Sequence, residues 1–183
     1  MTFFAKSAAA ATALFLATAA YAENPMVGGA AMYETKNIVE NAVNSADHTT
    51  LVAAVQAAGL VDTLASEGPF TVFAPVNAAF DALPDGTVET LLEPGNKALL
   101  TKILTAHVVA GTWTAEQIAS QARKSSDGFY HFNAVSGDAL SAQVKGGNLY
   151  IYDESGNASK ITIANVIQSN GVIHVIDAVL LPK

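Results

Sequence analysis

The hydrophobic and polar positions change their period near the middle of the chain. Before residue 127 the apolar residues recur at helical spacing in short segments bounded by Gly, Pro and capping side chains. One segment, 70–75, is instead an apolar run closed by proline, which predicts a short buried strand. From residue 127 onward the pattern is strand-like, and it predicts an α+β fold in a single domain. The predicted strands of this second half are 129–135, 139–144, 148–152, 161–167 and 172–181.

Capping side chains mark several helix starts in the first half. Asn37 with Glu40, and Thr114 with Gln117, have the spacing of a capping box, in which two side chains satisfy free backbone N–H groups. Asn77 stands where it can cap the helix that follows the strand over 70–75. We therefore expect helices to begin at these three points.

The last predicted strand, 172–181, is rich in Val and Ile, and such a run is typical of a strand buried on both faces. Its two polar side chains, His174 and Asp177, need hydrogen-bond partners if they are buried. Their odd spacing sends them to opposite faces, so they cannot pair with each other. Asn170-Gly171 before this strand predicts a hairpin turn, because both residue types tolerate positive φ.

The first 33 residues are predicted to lie outside the domain. A lysine at position 6, an apolar Ala- and Leu-rich run over 8–20, and small residues at 20 and 22 are typical of a secretory signal peptide over 1–22. Residues 23–33 lack periodicity and predict a flexible lead. The domain is expected over 34–183, with no membrane span in the mature form.

Composition narrows the class of function. The net charge is −7, whereas a nucleic-acid binder needs a basic surface, so nucleic acid is not an expected partner. The chain has no Cys, which excludes disulfides, Cys-based zinc sites and thiol nucleophiles.

The candidate chemistry rests mainly on histidines at positions 48, 107, 131 and 174. Their spacing matches no metal-ligand motif, so neither a metal nor a cofactor is predicted. His107 and His174 have apolar surroundings and are expected to be hydrogen-bonded core residues, whereas His48 and His131 are expected to be partly exposed. No nucleophile elbow or phosphate-binding loop occurs, so an enzyme is not predicted; a hydrolase would need a site assembled from remote residues.

Aromatic residues cluster in the β-rich half. Alternation places Tyr130 with Phe132 on one face of their strand, and Tyr150 with Tyr152 on one face of theirs. Core packing or cross-strand pairing is the default expectation for such residues. An exposed Tyr-rich face would instead suit the binding of a protein or a glycan.

Three stretches resemble the motifs of the fasciclin-like (FAS1) domain family. Residues 71–80, Thr-Val-Phe-Ala-Pro-Val-Asn-Ala-Ala-Phe, are similar to the first motif, and residues 170–182 are similar to the second. Residues 103–111 are similar to the family's Tyr-His motif, with His107 in place and Ala106 where the family has Tyr. The resemblance covers the chain from residue 33 to its last residue.

The resemblance implies a wedge-shaped β-sandwich with helices packed around it. It also implies a structural hydrogen bond between Thr71 of the first motif and Asp177 of the second. The residues we assign to the structural motifs are Thr71, Asn77, His107, His174 and Asp177.

Domains of this kind occur in secreted and surface proteins and act mainly in adhesion. The resemblance therefore implies an exported, non-enzymatic protein, periplasmic or extracellular, whose partner is a cell-surface or matrix protein or a glycan. The alternative is a small-ligand or metal-binding periplasmic protein, to which His107, His131 or His174 would contribute.

Overall fold

The computed structural model describes residues 24–183, and the predicted signal peptide over 1–22 lies outside them. Helices are the main elements of the described residues before residue 127, as the periodicity predicted. They are α1 (Ile38–Ala42), α2 (Thr49–Ala58), α3 (Val61–Ala65), α4 (Asn77–Asp81), α5 (Thr87–Leu92), α6 (Lys97–Ala106) and α7 (Ala115–Lys124), with 3-10 turns at Ala46–His48 and Pro94–Asn96.

Strands occupy the second half, and four short strands lie in the described part of the first half. They are β1 (Met26–Val27), β2 (Ala30–Ala31), β3 (Phe70–Pro75), β4 (Val108–Ala110), β5 (Phe129–Asn133), β6 (Ala139–Lys145), β7 (Asn148–Tyr152), β8 (Ala158–Gln168) and β9 (Gly171–Ile176). The predicted hairpin at Asn170-Gly171 joins β8 to β9, which pair antiparallel from Gln168 and Gly171.

β3 to β9 form one seven-stranded sheet in the order β4-β3-β9-β8-β7-β6-β5. β3 and β9 run parallel, and the other neighbours run antiparallel. β8 joins β7 to β9 in the sheet: its first residues pair with β7, and the rest pair with β9. The pairing with β9 shifts register on both sides of Ile163. Beyond β5, the backbone N–H of Val135 donates to the Val108 carbonyl of β4 at 2.7 Å, so the two ends of the sheet approach each other. This is the α+β architecture that the sequence predicted.

Two hydrophobic cores lie on the two faces of the β3–β9 pair. Val72 and Ile173 face the helical layer and pack in the first core. Phe73 and Ile176 face the other way, where they pack in the second core with residues of β6, β7 and α7. Every residue of β9 is buried, as expected for an apolar strand covered on both faces.

The flexible lead predicted for 23–33 is wrong over the residues that the structure describes. β1 and β2 form a hairpin around two glycines with positive φ, and the flanking Val27 and Met32 are 3% and 2% exposed in the first core. Two-residue strands are too short to show a period, which is why the pattern did not reveal them.

None of the helices between Asn24 and Lys183 has the length and apolar character that crossing a membrane requires.

Candidate functional site

His107 connects two of the motif segments through both of its ring nitrogens. It follows α6, where Nδ1 lies 2.8 Å from the carbonyl oxygen of Ile103, and its Nε2 accepts the backbone N–H of Leu180 at 2.9 Å. Because Nε2 accepts, Nδ1 carries the proton and the ring is neutral. Burial lowers the pKa of His107 to about 4, although the Ile103 carbonyl acts in the opposite direction. This imidazole holds the segment after β9 against the end of α6.

His174 of β9 also uses both ring nitrogens, and it contacts the loop before α7 and the middle of β8. It is fully buried and stacks on Phe73 with ring centroids 5.7 Å apart. Nε2 donates to the Trp113 carbonyl at 2.7 Å, and Nδ1 accepts the backbone N–H of Asn165 at 3.2 Å. Burial lowers the pKa of His174. Both ring nitrogens, through either of which a metal would bind, are therefore engaged in protein hydrogen bonds.

The hydrogen bond expected between Thr71 and Asp177 is wrong. Thr71 lies beside Val172 in the parallel register, whereas Asp177 lies beyond the opposite end of β9. The buried Thr71 hydroxyl donates to the carbonyl of Gly111 at 2.7 Å and accepts the N–H of Trp113 at 2.9 Å. It thereby ties β3 to the turn that follows β4.

Asp177 is exposed, because β9 ends at Ile176 instead of continuing to residue 181. Its carboxylate accepts the N–H of Lys160 at 2.7 Å, and its own N–H donates to the Lys160 carbonyl at 3.2 Å. Asp177 therefore fastens the end of β9 to β8 and is not a buried carboxylate.

Asn77 caps a different helix from the one predicted. It is the first residue of α4, and Val76 occupies the capping position without a side-chain hydrogen bond. The Asn77 side chain instead accepts the backbone N–H of Thr50 at 3.0 Å and donates to the Ala46 carbonyl at 2.9 Å. It thus satisfies the start of α2, which has no side-chain cap of its own.

Asn170 has a structural role that the sequence pattern did not reveal. Its buried side chain accepts the N–H of Ile38 at 3.0 Å and donates to the carbonyls of Leu64 and Ser66 at 2.8 and 2.7 Å. The β8–β9 turn is thereby attached to the start of α1 and the end of α3. The only signal in the sequence was the Asn-Gly pair, which predicted the turn but not the partners.

Gly171 is needed for close packing. A Cβ built at this position would lie 2.0 Å from the Phe70 carbonyl oxygen of β3, which no side chain could tolerate. Neither Asn170 nor Gly171 has positive φ, so the turn uses this pair for reasons other than the one we expected.

The expectation that His48 is partly exposed is wrong. His48 is 3% exposed, at the end of the 3-10 turn that directly precedes α2. Nδ1 lies 2.8 Å from the Ser45 hydroxyl, and burial lowers the pKa of the ring. His131, in contrast, is exposed as expected and lies 2.9 Å from the carboxylate of Asp127.

Asp127 organises the exposed start of β5. Its carboxylate accepts hydrogen bonds from the Ser125 hydroxyl, His131 and the backbone N–H of Phe129. The Ser125 bond is the main cause that lowers the pKa of Asp127, followed by the His131 bond. Within residues 24–183, no three His, Asp or Glu side chains converge to form a metal-binding group.

The aromatic residues of β5–β7 divide between the two faces of the sheet. Tyr130 and Phe132 pack against the second core. The opposite face is formed by alternate residues in register, and we call it the outer aromatic face. Its central residues are Phe129, His131, Ser141, Gln143, Tyr150 and Tyr152. His131 is exposed and the others are half-buried, with Phe129 and Tyr152 in edge contact at 5.5 Å.

The fold and these hydrogen bonds define a structural domain of one sheet and surrounding helices, in which the polar motif residues join separate elements of the fold. A sequence profile of the Fasciclin domain matches residues 46–182, and the chain belongs to this family. The predicted family and fold class are thus confirmed.

Relatives of this chain occur in several organisms. It is 47% identical over 176 residues to Protein sll1483 of Synechocystis, covering 93% of this chain and 90% of that protein. It is 36% identical to the immunogenic protein MPB70 of Mycobacterium bovis, over 77% of this chain and 66% of that protein. It is 38% identical to the transforming growth factor-beta-induced protein ig-h3 of Sus scrofa, covering 72% of this chain but 17% of that longer protein.

A solved structure shows the same fold. The FAS1 domain pair of the insect cell adhesion molecule fasciclin I superposes with a TM-score of 0.70, at 18% identity, over 80% of this chain and 51% of that one.

Proposed function

We propose that this protein is an exported, non-enzymatic interaction domain that attaches to a protein on a cell surface or in an extracellular matrix. Membership of the Fasciclin family supports this function, and so does the name of its structural relative, a cell adhesion molecule. The signal-peptide pattern at the start of the sequence supports export.

The observation that carries the proposal is the outer aromatic face. Tyr side chains offer a large rigid contact area with a polar tip, and they are enriched where proteins bind other proteins. Here Tyr150 and Tyr152 share a face with a histidine and a glutamine instead of being covered by the core. The motif histidines His107 and His174, in contrast, are buried and use both nitrogens internally.

The neighbouring edge of the sheet favours a protein partner over a glycan. β5 stands at one end of the strand order and pairs with β6 along one side. Val135, just beyond β5, bonds to β4, but among the described residues no strand pairs with the other side of β5 itself. Such an edge presents backbone N–H and C=O groups to which an extended segment of a partner can bind.

The experiment compares attachment of source cells that lack the protein with cells that regain it. The complementing forms are wild type, the double variant Tyr150→Ser with Tyr152→Ser, and the control Leu99→Ser. Leu99 is a matched control because it is apolar, 50% exposed and located on α6 in the helical layer. Circular dichroism and immunoblots of the exported fractions establish equal folding and equal amounts.

We expect wild type and Leu99→Ser to restore attachment and the double variant to fail. Equal attachment with and without the protein would refute an adhesive function. Full attachment by the double variant would refute the role of the outer aromatic face. Protease treatment of the target surface should abolish attachment; if periodate abolishes it and protease does not, the partner is a glycan and the proposed protein partner is wrong.

A further inference from the structure

A cavity of about 110 Å³ lies between the sheet and the first three helices. Its wall is almost entirely apolar and includes Met32, Leu51, Val55, Leu64, Val72 and Ile173. Several wall residues, among them Val39, Val52 and Gln56, are partly or fully exposed, so the cavity reaches the protein surface between α1 and α2. A closed apolar cavity of about 150 Å³ binds benzene. The space here is smaller, about 110 Å³, but it is open to the surface, so a single ring is the largest group that suits it.

One polar atom in this wall lacks a partner. His48 lines the cavity and is 3% exposed, and its Nε2 has no hydrogen-bond partner among residues 24–183. The Ala74 backbone carbonyl lies close enough to the ring to raise its pKa against the larger effect of burial, but it does not meet the distance and angle of a hydrogen bond to Nε2. The other buried imidazole in the wall, His107, has both nitrogens bonded.

An unpaired buried nitrogen is costly, and a lone water would not satisfy this site well. A buried water is held by two to four polar partners, whereas the cavity wall, apart from the Ala74 carbonyl near the ring, is almost entirely apolar. A ligand that fills the apolar space and carries its own polar group would satisfy both the cavity and the nitrogen.

We propose that this cavity is a binding site for a ring-sized apolar molecule bearing one hydroxyl group, which hydrogen-bonds to His48 Nε2. The hydroxyl is favoured because it both donates and accepts, and so pairs with Nε2 whichever nitrogen of the ring carries the proton. The Ser45 hydroxyl at 2.8 Å from Nδ1 orients the ring for this contact. The site is separate from the outer aromatic face, so its test does not depend on the adhesive function.

Phenol is the probe, and toluene is its matched analogue in which a methyl group replaces the hydroxyl. Binding is followed by methyl resonances of Val52, Val55, Leu64 and Ile173 in ¹H–¹³C spectra of the purified protein, titrated with each probe. We expect saturable shifts with phenol in the wild type.

The variant Ala42→Phe tests the location of binding, because Ala42 lines the cavity and a larger side chain would fill it. Its control, Ala53→Phe, makes the same change at an exposed position of α2 that does not line the cavity. We expect Ala42→Phe to abolish the phenol shifts and Ala53→Phe to retain them.

The variant His48→Phe tests the hydrogen bond and keeps the ring shape. The ratio of phenol to toluene affinity should fall by about threefold to tenfold in this variant, as expected for the loss of one hydrogen bond. Because the ratio is compared, a general change in cavity shape affects both probes and cancels.

The absence of saturable shifts with phenol in the wild type would overturn the proposal, and this result needs no variant. Unchanged binding to Ala42→Phe would place phenol elsewhere and overturn it as well. An unchanged affinity ratio in His48→Phe would show that the imidazole does not recognise the hydroxyl.

Discussion

Acidification should lower the free energy of unfolding through His107. Replacing His107 with glutamine should remove the part of this decrease that His107 causes. In the folded protein His107 is neutral, because Nδ1 donates to Ile103 and Nε2 accepts from Leu180 in a buried site. Protonating Nε2 would break the bond to Leu180 and place a charge in the core.

The sign and size follow from the pKa of His107, which is about 4 in the folded state against 6.5 for a free histidine. Between these pH values the unfolded chain binds more protons, so the free energy of unfolding falls as the pH falls. The stabilisation is complete above about pH 6.5, decreases toward pH 4 and is exhausted below it. At 1.36 kcal/mol per pH unit, the change from pH 7 to pH 4.5 amounts to about 2.5 kcal/mol.

The assay is urea unfolding followed by circular dichroism at pH 7.0 and pH 4.5, for wild type, His107→Gln and His131→Gln. The glutamine amide can donate to Ile103 and accept from Leu180 without titrating. We expect His107→Gln to lose about 2.5 kcal/mol less on acidification than wild type does. His131→Gln makes the same substitution at a histidine that is 63% exposed, and it is the control for the change of side chain itself.

Other titrating groups, including His48 and His174, are present in all three proteins and cancel in the comparison. If His107→Gln lost as much stability as wild type between the two pH values, His107 would not be a buried neutral imidazole and the reasoning would be refuted.

Three further substitutions test the hydrogen bonds of the motif segments by the same unfolding assay at pH 7. Asn170→Ala should cost about 2–4 kcal/mol, because three backbone groups lose a buried partner; a cost equal to that of the exposed neighbour variant Ser169→Ala would contradict this role. Thr71→Val should cost about 2–3 kcal/mol, since the isosteric side chain leaves a carbonyl and an N–H unpaired, while Thr71→Ser should retain most of the stability. Asp177→Ala should cost less than about 1 kcal/mol because Asp177 is exposed, and a larger loss would show that its bond to β8 matters more than its exposure suggests.

Features that depend on neighbouring residues were predictable from the sequence. Both capping boxes form as predicted, at Asn37 and at Thr114, because each needs residues only three positions apart. The buried strand β3 matches its predicted bounds for the same kind of reason, an apolar run closed by proline. The period change near residue 127 likewise separated the helical half from the β-rich half.

Strand ends were less predictable where the apolar pattern continues past the sheet. The pattern extended the last strand to residue 181, but pairing with β3 and β8 ends at Ile176. Val179 and Leu180 are buried all the same, in the two cores. An apolar run indicates that residues are buried, but buried residues need not belong to a strand. Asp177 was therefore predicted inside the last strand, although it lies just beyond the end of β9.

The sequence by itself determined the class of fold, the family and the local signals that start and stop the helices. Only the tertiary structure decided the partners of the polar motif residues: Thr71 binds the turn after β4, Asn77 caps α2, and Asn170 joins α1 to α3. It also decided that His48 points into an apolar cavity. The physical reason is that a hydrogen bond of about 3 Å depends on how elements dozens of residues apart are stacked. A linear pattern of hydrophobic and polar positions shows which side chains are buried, but not which backbone groups they meet.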